Sequence, residues 1–133
     1  ASIVAAYEQG EPWFGYYWEP TWVMGLLDMV MIEEPPYSDE LWEENFGCAY
    51  PASEVTIGIS AALEEKAPEV VEFLDNYGTS LEQNNRFLAF MQEAEASAED
   101  AAVWFLQEYT EDWQQWVPEE VAAKVMAALS EVS

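Results

Sequence analysis

Residues 11–22 read EPWFGYYWEPTW, and six of these twelve side chains are aromatic: Trp13, Phe14, Tyr16, Tyr17, Trp18 and Trp22. The run from Pro12 to Trp18 lacks polar alternation, which predicts a strand buried on both faces. Alternation places Phe14, Tyr16 and Trp18 on one side of that strand and Trp13, Gly15 and Tyr17 on the other. Pro20 suits the first turn of a helix, which residues 21–28 continue.

Upstream, residues 2–8 look like the end of a helix closed near Gly10. Downstream, MVMIE at 29–33 predicts a second short buried strand. The turn-rich EEPPYSDE at 33–40 follows, with prolines that exclude regular structure. Ser38 is placed to cap a short helix over 39–46. Gly47 and Pro51 bracket a loop holding Cys48 and Tyr50. EVTIGIS at 54–60 alternates with period two and is rich in β-branched residues, so it predicts a third strand.

The rest of the chain reads as helix. Leu63, Ala67, Val70, Leu74 and Tyr77 follow helical spacing. Thr79 and Glu82 form a capping-box pattern, and Ser97 with Asp100 resembles a second cap. Ala102, Leu106, Tyr109, Trp113 and Trp116 make an apolar stripe. Pro118 restarts the chain, with Glu119 and Glu120 placed against a helix N-terminus. Val121, Val125, Ala128 and Val132 supply the final buried face. Strands alternating with helices indicate an α/β fold. Three short strands make a thin sheet, and the heavy helical tail suggests part of something larger.

Composition narrows the chemistry. The 133 residues fit one domain or part of one, and a 51% hydrophobic fraction supports a real core. Twenty-seven acidic residues face only Lys66, Arg86 and Lys124, for a net charge of −24. That field disfavours nucleic acid and anionic lipid as partners. A saline or extracytoplasmic setting suits it, because salt screens the self-repulsion. The sequence has no histidine, which removes the imidazole base, the Ser-His pair and the ordinary zinc site. The single cysteine, Cys48, is either a buried thiol or one half of a bridge to a segment outside this sequence. The longest apolar runs, such as WVMGLL, fall far short of the ~20 residues a membrane helix needs. No secretory leader opens the sequence.

Most of the aromatic residues in 11–22 serve a core, as apolar side chains generally do. Trp18 is the exception to weigh, because it lies at the carboxyl end of the predicted strand, where open α/β sheets bind ligands. Trp22 follows one helical turn later. Tryptophan faces suit a quaternary ammonium ion. Such a head group has no N–H to donate, and a ring face attracts it by roughly 0.5–2 kcal/mol per contact. Acidic surroundings favour the same cation.

GEPWFGYYWEPTWV (10–23), CAYPASEVTIGIS (48–60), APEVVEFLDNY (67–77) and WFLQEYTEDWQQWVP (104–118), in this order and spacing, resemble the substrate-binding proteins of glycine betaine/proline betaine ABC transporters. The resemblance spans nearly the whole chain and corresponds to the C-terminal half of such proteins. It implies a bilobed, type II periplasmic-binding-protein-like fold, with the ligand caged by tryptophans or tyrosines between the lobes. In similar proteins the tryptophan ending the YYW-x-P stretch belongs to the cage, which corresponds to Trp18 here. Trp22 matches a family aromatic of less certain role. The remaining cage residues are expected from an N-terminal half outside this sequence. Residues 1–52 are expected in one lobe, and 53–133, with the crossover strand and helical tail, complete the other. The implied partners are a small quaternary ammonium ligand, the N-terminal half and the membrane permease of an ABC importer. The implied location is periplasmic or on the extracellular face of a bacterial membrane. No cofactor, metal or enzymatic step is implied.

Two rivals remain open. Glu19 beside the aromatic run, and Glu33 with Glu34, could supply the two carboxylates of a glycosidase that stacks sugars on tryptophan. With so many acids, though, close pairs arise by chance and usually face solvent. The third reading is an acidic interaction module whose helical tail binds a partner.

Overall fold

The C-terminal half folds around four buried side chains, Phe105, Trp113, Trp116 and Ala122. The computed structural model describes residues 2–132. Its elements in chain order are α1 (Ser2–Glu8), α2 (Trp22–Leu26), α3 (Asp39–Asn45), α4 (Leu63–Lys66), α5 (Pro68–Asn76), α6 (Leu81–Glu93), α7 (Ala98–Glu108), α8 (Thr110–Trp113), a 3-10 turn (Gln114–Trp116) and α9 (Glu119–Leu129). None of these helices is long and apolar enough to cross a membrane. Two compact units emerge. One joins residues up to Asp28 with those from Ser60 onward; the other spans Met29–Ile59.

In the first unit the helices start where side-chain oxygens satisfy orphan amides. Ser97 caps α7 in a reciprocal box with Asp100, as expected. At α6 the box is Ser80 with Gln83, one residue later than the Thr79–Glu82 pattern. Thr79 instead exchanges hydrogen bonds with the Asn84 side chain. The N-cap of α2 is Thr21, whose side chain accepts from the Met24 amide at 3.4 Å. Pro20 thus precedes the helix rather than occupying its first turn.

The apolar stripe of the tail is shifted too. Ala101 and Phe105 are the buried residues of α7, while Ala102 is exposed. The helix ends at Glu108, and Tyr109, at φ −110° and ψ 43°, resets the phase before α8. Trp113 then buries its ring and donates its indole N–H to the Leu106 carbonyl at 2.7 Å. Phe73 and Tyr77 lay their rings against Trp116, with centroids 6.4 and 4.7 Å away. On α9 the inward face is Ala122, Val125 and Leu129, whereas Ala128 and Val132 face solvent.

A second contact joins the start of the chain to its middle. Helix α2 packs on α6, with Val23 fully buried. A Cβ on Gly25 would lie 2.7 Å from the Asn85 carbonyl carbon and 2.8 Å from the Ala89 Cβ. Glycine is required here because only a bare Cα lets the two backbones approach so closely.

The unit over residues 29–59 centres on α3. Ser38 caps it by accepting from the Leu41 amide at 3.2 Å. Asp39 and Glu40 stand in its first turn, where the helix dipole favours negative charge. Phe46 ends it in the left-handed conformation, at φ 57°. Cys48 is a free, buried thiol whose Sγ lies 3.8 Å from the Ser38 carbonyl oxygen.

The three expected strands are the main difference. Residues 12–18, 29–33 and 54–60 form no β-ladder, and no strand occurs among the described residues. The sheet half of the α/β expectation is therefore not seen among the described residues. A strand exists only through a partner that takes its N–H and C=O groups, and these three do not pair with one another. Their side chains stand in solvent accordingly: Phe14 is 83% exposed, Val30 91% and Val55 95%.

Candidate ligand-binding site

The segment leading into α2 carries the aromatic residues of the candidate site. The Trp13 indole folds over Gly15, where an added Cβ would meet the ring at 2.7 Å. Beyond it Tyr16, Tyr17 and Trp18 cluster. Tyr17 and Trp18 are stacked, with centroids 5.1 Å apart and ring planes 14° from parallel. Tyr16 approaches Trp18 at 6.3 Å, tilted by 34°. The alternation expected of a strand separates Tyr17 from Trp18; without a ladder to enforce it, the two rings lie face to face. Trp18 is 59% exposed, so much of its ring surface is open to a ligand. Trp22 is half-buried at the first position of α2. Among the described residues it makes no ring contact with Trp18.

One buried side chain holds the turn after Trp18. Asn85 of α6 is 6% exposed. Its Oδ1 accepts from the Thr21 backbone N–H at 2.9 Å, and its Nδ2 donates to Glu19 Oε1 at 2.7 Å. Chemistry fixes the amide orientation, because a backbone N–H can only donate and a carboxylate can only accept. Asn85 thus grips the residues on both sides of Pro20, whose bond to Glu19 is cis. A cavity of ≈ 430 Å³ opens at this point, lined by Glu19, Met24, Gly25, Glu82, Asn85 and Arg86. The Arg86 guanidinium carbon also lies 5.9 Å from the centroid of the Tyr109 ring. A larger hollow of ≈ 510 Å³, bounded by Gln107, Thr110 and Met126 among others, lies in the helical tail away from the aromatic segment.

Stacked aromatic faces attract a positive head group without requiring a hydrogen bond from it. The cavity beside Asn85 carries two carboxylates, Glu19 and Glu82, and one guanidinium, Arg86. Glu19 also carries a structural bond to Asn85. Among the described residues no group of three His, Cys, Asp or Glu side chains is arranged to hold a metal ion. The hydrogen bond to Asp39 raises the Tyr37 phenol, and the bond from the Ser97 hydroxyl lowers the Asp100 carboxyl.

Two features escaped sequence reasoning. Asn85 reads as an ordinary polar position within a helix, and only its burial reveals the clamp. The other is an aromatic cluster in the 29–59 unit. Trp42 is flanked by Tyr37 at 5.9 Å, Phe46 at 5.0 Å and Tyr50 at 5.1 Å, the last two edge-on. The spacing of Trp42 and Phe46, one helical turn apart, was a usable signal; the contribution of Tyr50 from beyond the helix was not.

Comparison with known protein families matches residues 1–108 to the substrate binding domain of ABC-type glycine betaine transport system. No curated protein and no solved structure matched.

Proposed function

We propose, from the premise that this chain belongs to the family of substrate-binding domains of ABC-type glycine betaine transport systems, that it captures a methylated ammonium compound with Trp18 as one wall of an aromatic cage. The observation that carries the reading is the stacked, half-open Tyr17–Trp18 pair. Stacking restrains the Trp18 ring before a ligand arrives, so less side-chain freedom is lost on binding. The uncovered part of the ring then meets the cation. Trp22 is proposed as a supporting aromatic, one residue past the Thr21 cap. Further cage walls come from a preceding half of the protein, and the two lobes divide near residue 52. The loaded protein works outside the cytoplasm and delivers its ligand to a membrane permease, without turnover. Glycine betaine, proline betaine, choline, carnitine and trimethylamine N-oxide all carry a suitable head group.

Calorimetry of the full-length protein against this panel tests the reading. Trp18→Ala should weaken binding by about 1–3 kcal/mol through lost cation–π attraction and lost packing, and Trp18→Phe should retain part of the affinity. Trp104 serves as control. It is stacked on Phe90 at 4.7 Å in the helical tail, so Trp104→Ala should lower stability more than affinity. A folded Trp18→Ala protein that binds as tightly as wild type would overturn the assignment.

A further inference from the structure

We propose that Asn85 is the positioning residue of this site: its buried amide ties α6 to both sides of the Trp18–Pro20 turn and thereby sets the angle at which the Trp18 ring is presented. The proposal rests on the reading of Trp18 as a ligand wall. Three observations support it. The amide is buried yet both its ends are bonded, and both bonds run to one short segment, Glu19 and Thr21. These partners lie 66 and 64 positions away in sequence, so the bonds are tertiary and not part of the local fold of α6. The clamp begins one residue after Trp18, while Thr21 is also the cap of α2. The Tyr17–Trp18 stack therefore projects from a fixed point on the α2–α6 pair. A carbon side chain at 85 would fill the same space and leave the Thr21 amide and the Glu19 carboxylate without this partner.

Asn85→Asp provides a reversible test, because it replaces the donor to Glu19 with an acceptor of the same shape. Near neutral pH, with both carboxylates ionised, like-charge repulsion at hydrogen-bond distance drives the exposed Glu19 side chain away and the clamp opens. Acidification lets them share a proton and remakes the bond. Glu82 and Arg86 line the same cavity as Glu19 and Asn85, and their charges shift the midpoint but not the direction. Asn85→Leu has no such rescue.

The test compares full-length wild type, Asn85→Leu and Asn85→Asp at about pH 7 and about pH 5. Tetramethylammonium is the probe, since it does not titrate. The Tyr17–Trp18 stack is followed without ligand by near-ultraviolet circular dichroism, with a Trp18→Phe spectrum subtracted. Asn85→Leu should lose the stack signal, and about tenfold or more in affinity, at both pH values. Asn85→Asp should lose both near neutrality and regain them on acidification, while wild type changes little. If Asn85→Leu does not fold, the reversible behaviour of Asn85→Asp alone decides. Retention of the stack signal and of wild-type affinity in folded variants, with only the melting temperature lowered, would overturn the proposal. If the stack responds as expected but wild type does not bind the probe, the clamp is upheld and the binding reading fails.

Discussion

Gly25→Ala should destabilise the protein although alanine is the better helix former. The gain in helix propensity is about 1 kcal/mol. Against it stands the close approach of α2 and α6, where the new methyl would lie 2.7 Å from the Asn85 carbonyl carbon and 2.8 Å from the Ala89 Cβ. Carbon atoms settle near 3.5–4.0 Å, so α2 must back away by about 1 Å. The obstacle includes the backbone of α6, which cannot yield as a flexible side chain would. Overpacking of this kind costs about 1–3 kcal/mol. The same displacement stretches both Asn85 bonds, each worth about 1 kcal/mol net. With both bonds lost, the balance is a loss of about 2–4 kcal/mol. Urea denaturation at fixed salt measures it as a lower midpoint with an unchanged slope. Gly78→Ala is the control, because nothing lies within 4 Å of its would-be Cβ. A Gly25→Ala protein as stable as wild type would refute the argued helix contact and the account of the site that depends on it.

Raising salt from about 0.1 M to about 1 M shortens the screening length from about 10 Å to about 3 Å. With a net charge of −24, the unfolding midpoint should rise over that range, and an unchanged midpoint would show that self-repulsion is not limiting. Asp100→Asn should destabilise the protein at neutral pH by removing the carboxylate of the α7 capping box. The Asp100 pKa is lowered on folding, so its contribution is present above the ordinary value of 3.8 and lost as pH falls through the folded value. Acid titration should therefore bring wild type and variant together; a constant gap would oppose this. Cys48 is 3% exposed, and a thiol reagent should label it slowly in native protein and rapidly in urea. Equal rates would contradict its burial.

Legibility in the sequence followed the range of the interaction. Ser38 and Ser97 were readable as caps because each bonds to an amide three residues away. At α6 the signal was ambiguous between adjacent Thr79 and Ser80, and the geometry favours the serine. The aromatic run stood out in the composition, whereas Trp18 was singled out by its place at the end of a strand that does not form; its ring is 59% exposed. Pattern also marked residues 12–18, 29–33 and 54–60 as strand-like. A ladder, however, depends on a partner that periodicity does not name. Asn85 was illegible for the same reason, since its two partners lie in a segment more than sixty residues away.

The uncovered apolar side chains Val30, Met31, Ile32, Val55, Ile57 and Ile59 give the acidic surface a colloidal role. Molecules that show such patches stay apart only while their charges repel. Near the isoelectric point of about 4.1 the repulsion vanishes and the patches remain. The second virial coefficient should therefore turn from positive to negative as pH approaches that value. Salt acts in two opposed directions: it relaxes repulsion within one molecule and also lowers the barrier between two. An optimum ionic strength follows, above which any further gain in conformational stability is outweighed by self-association.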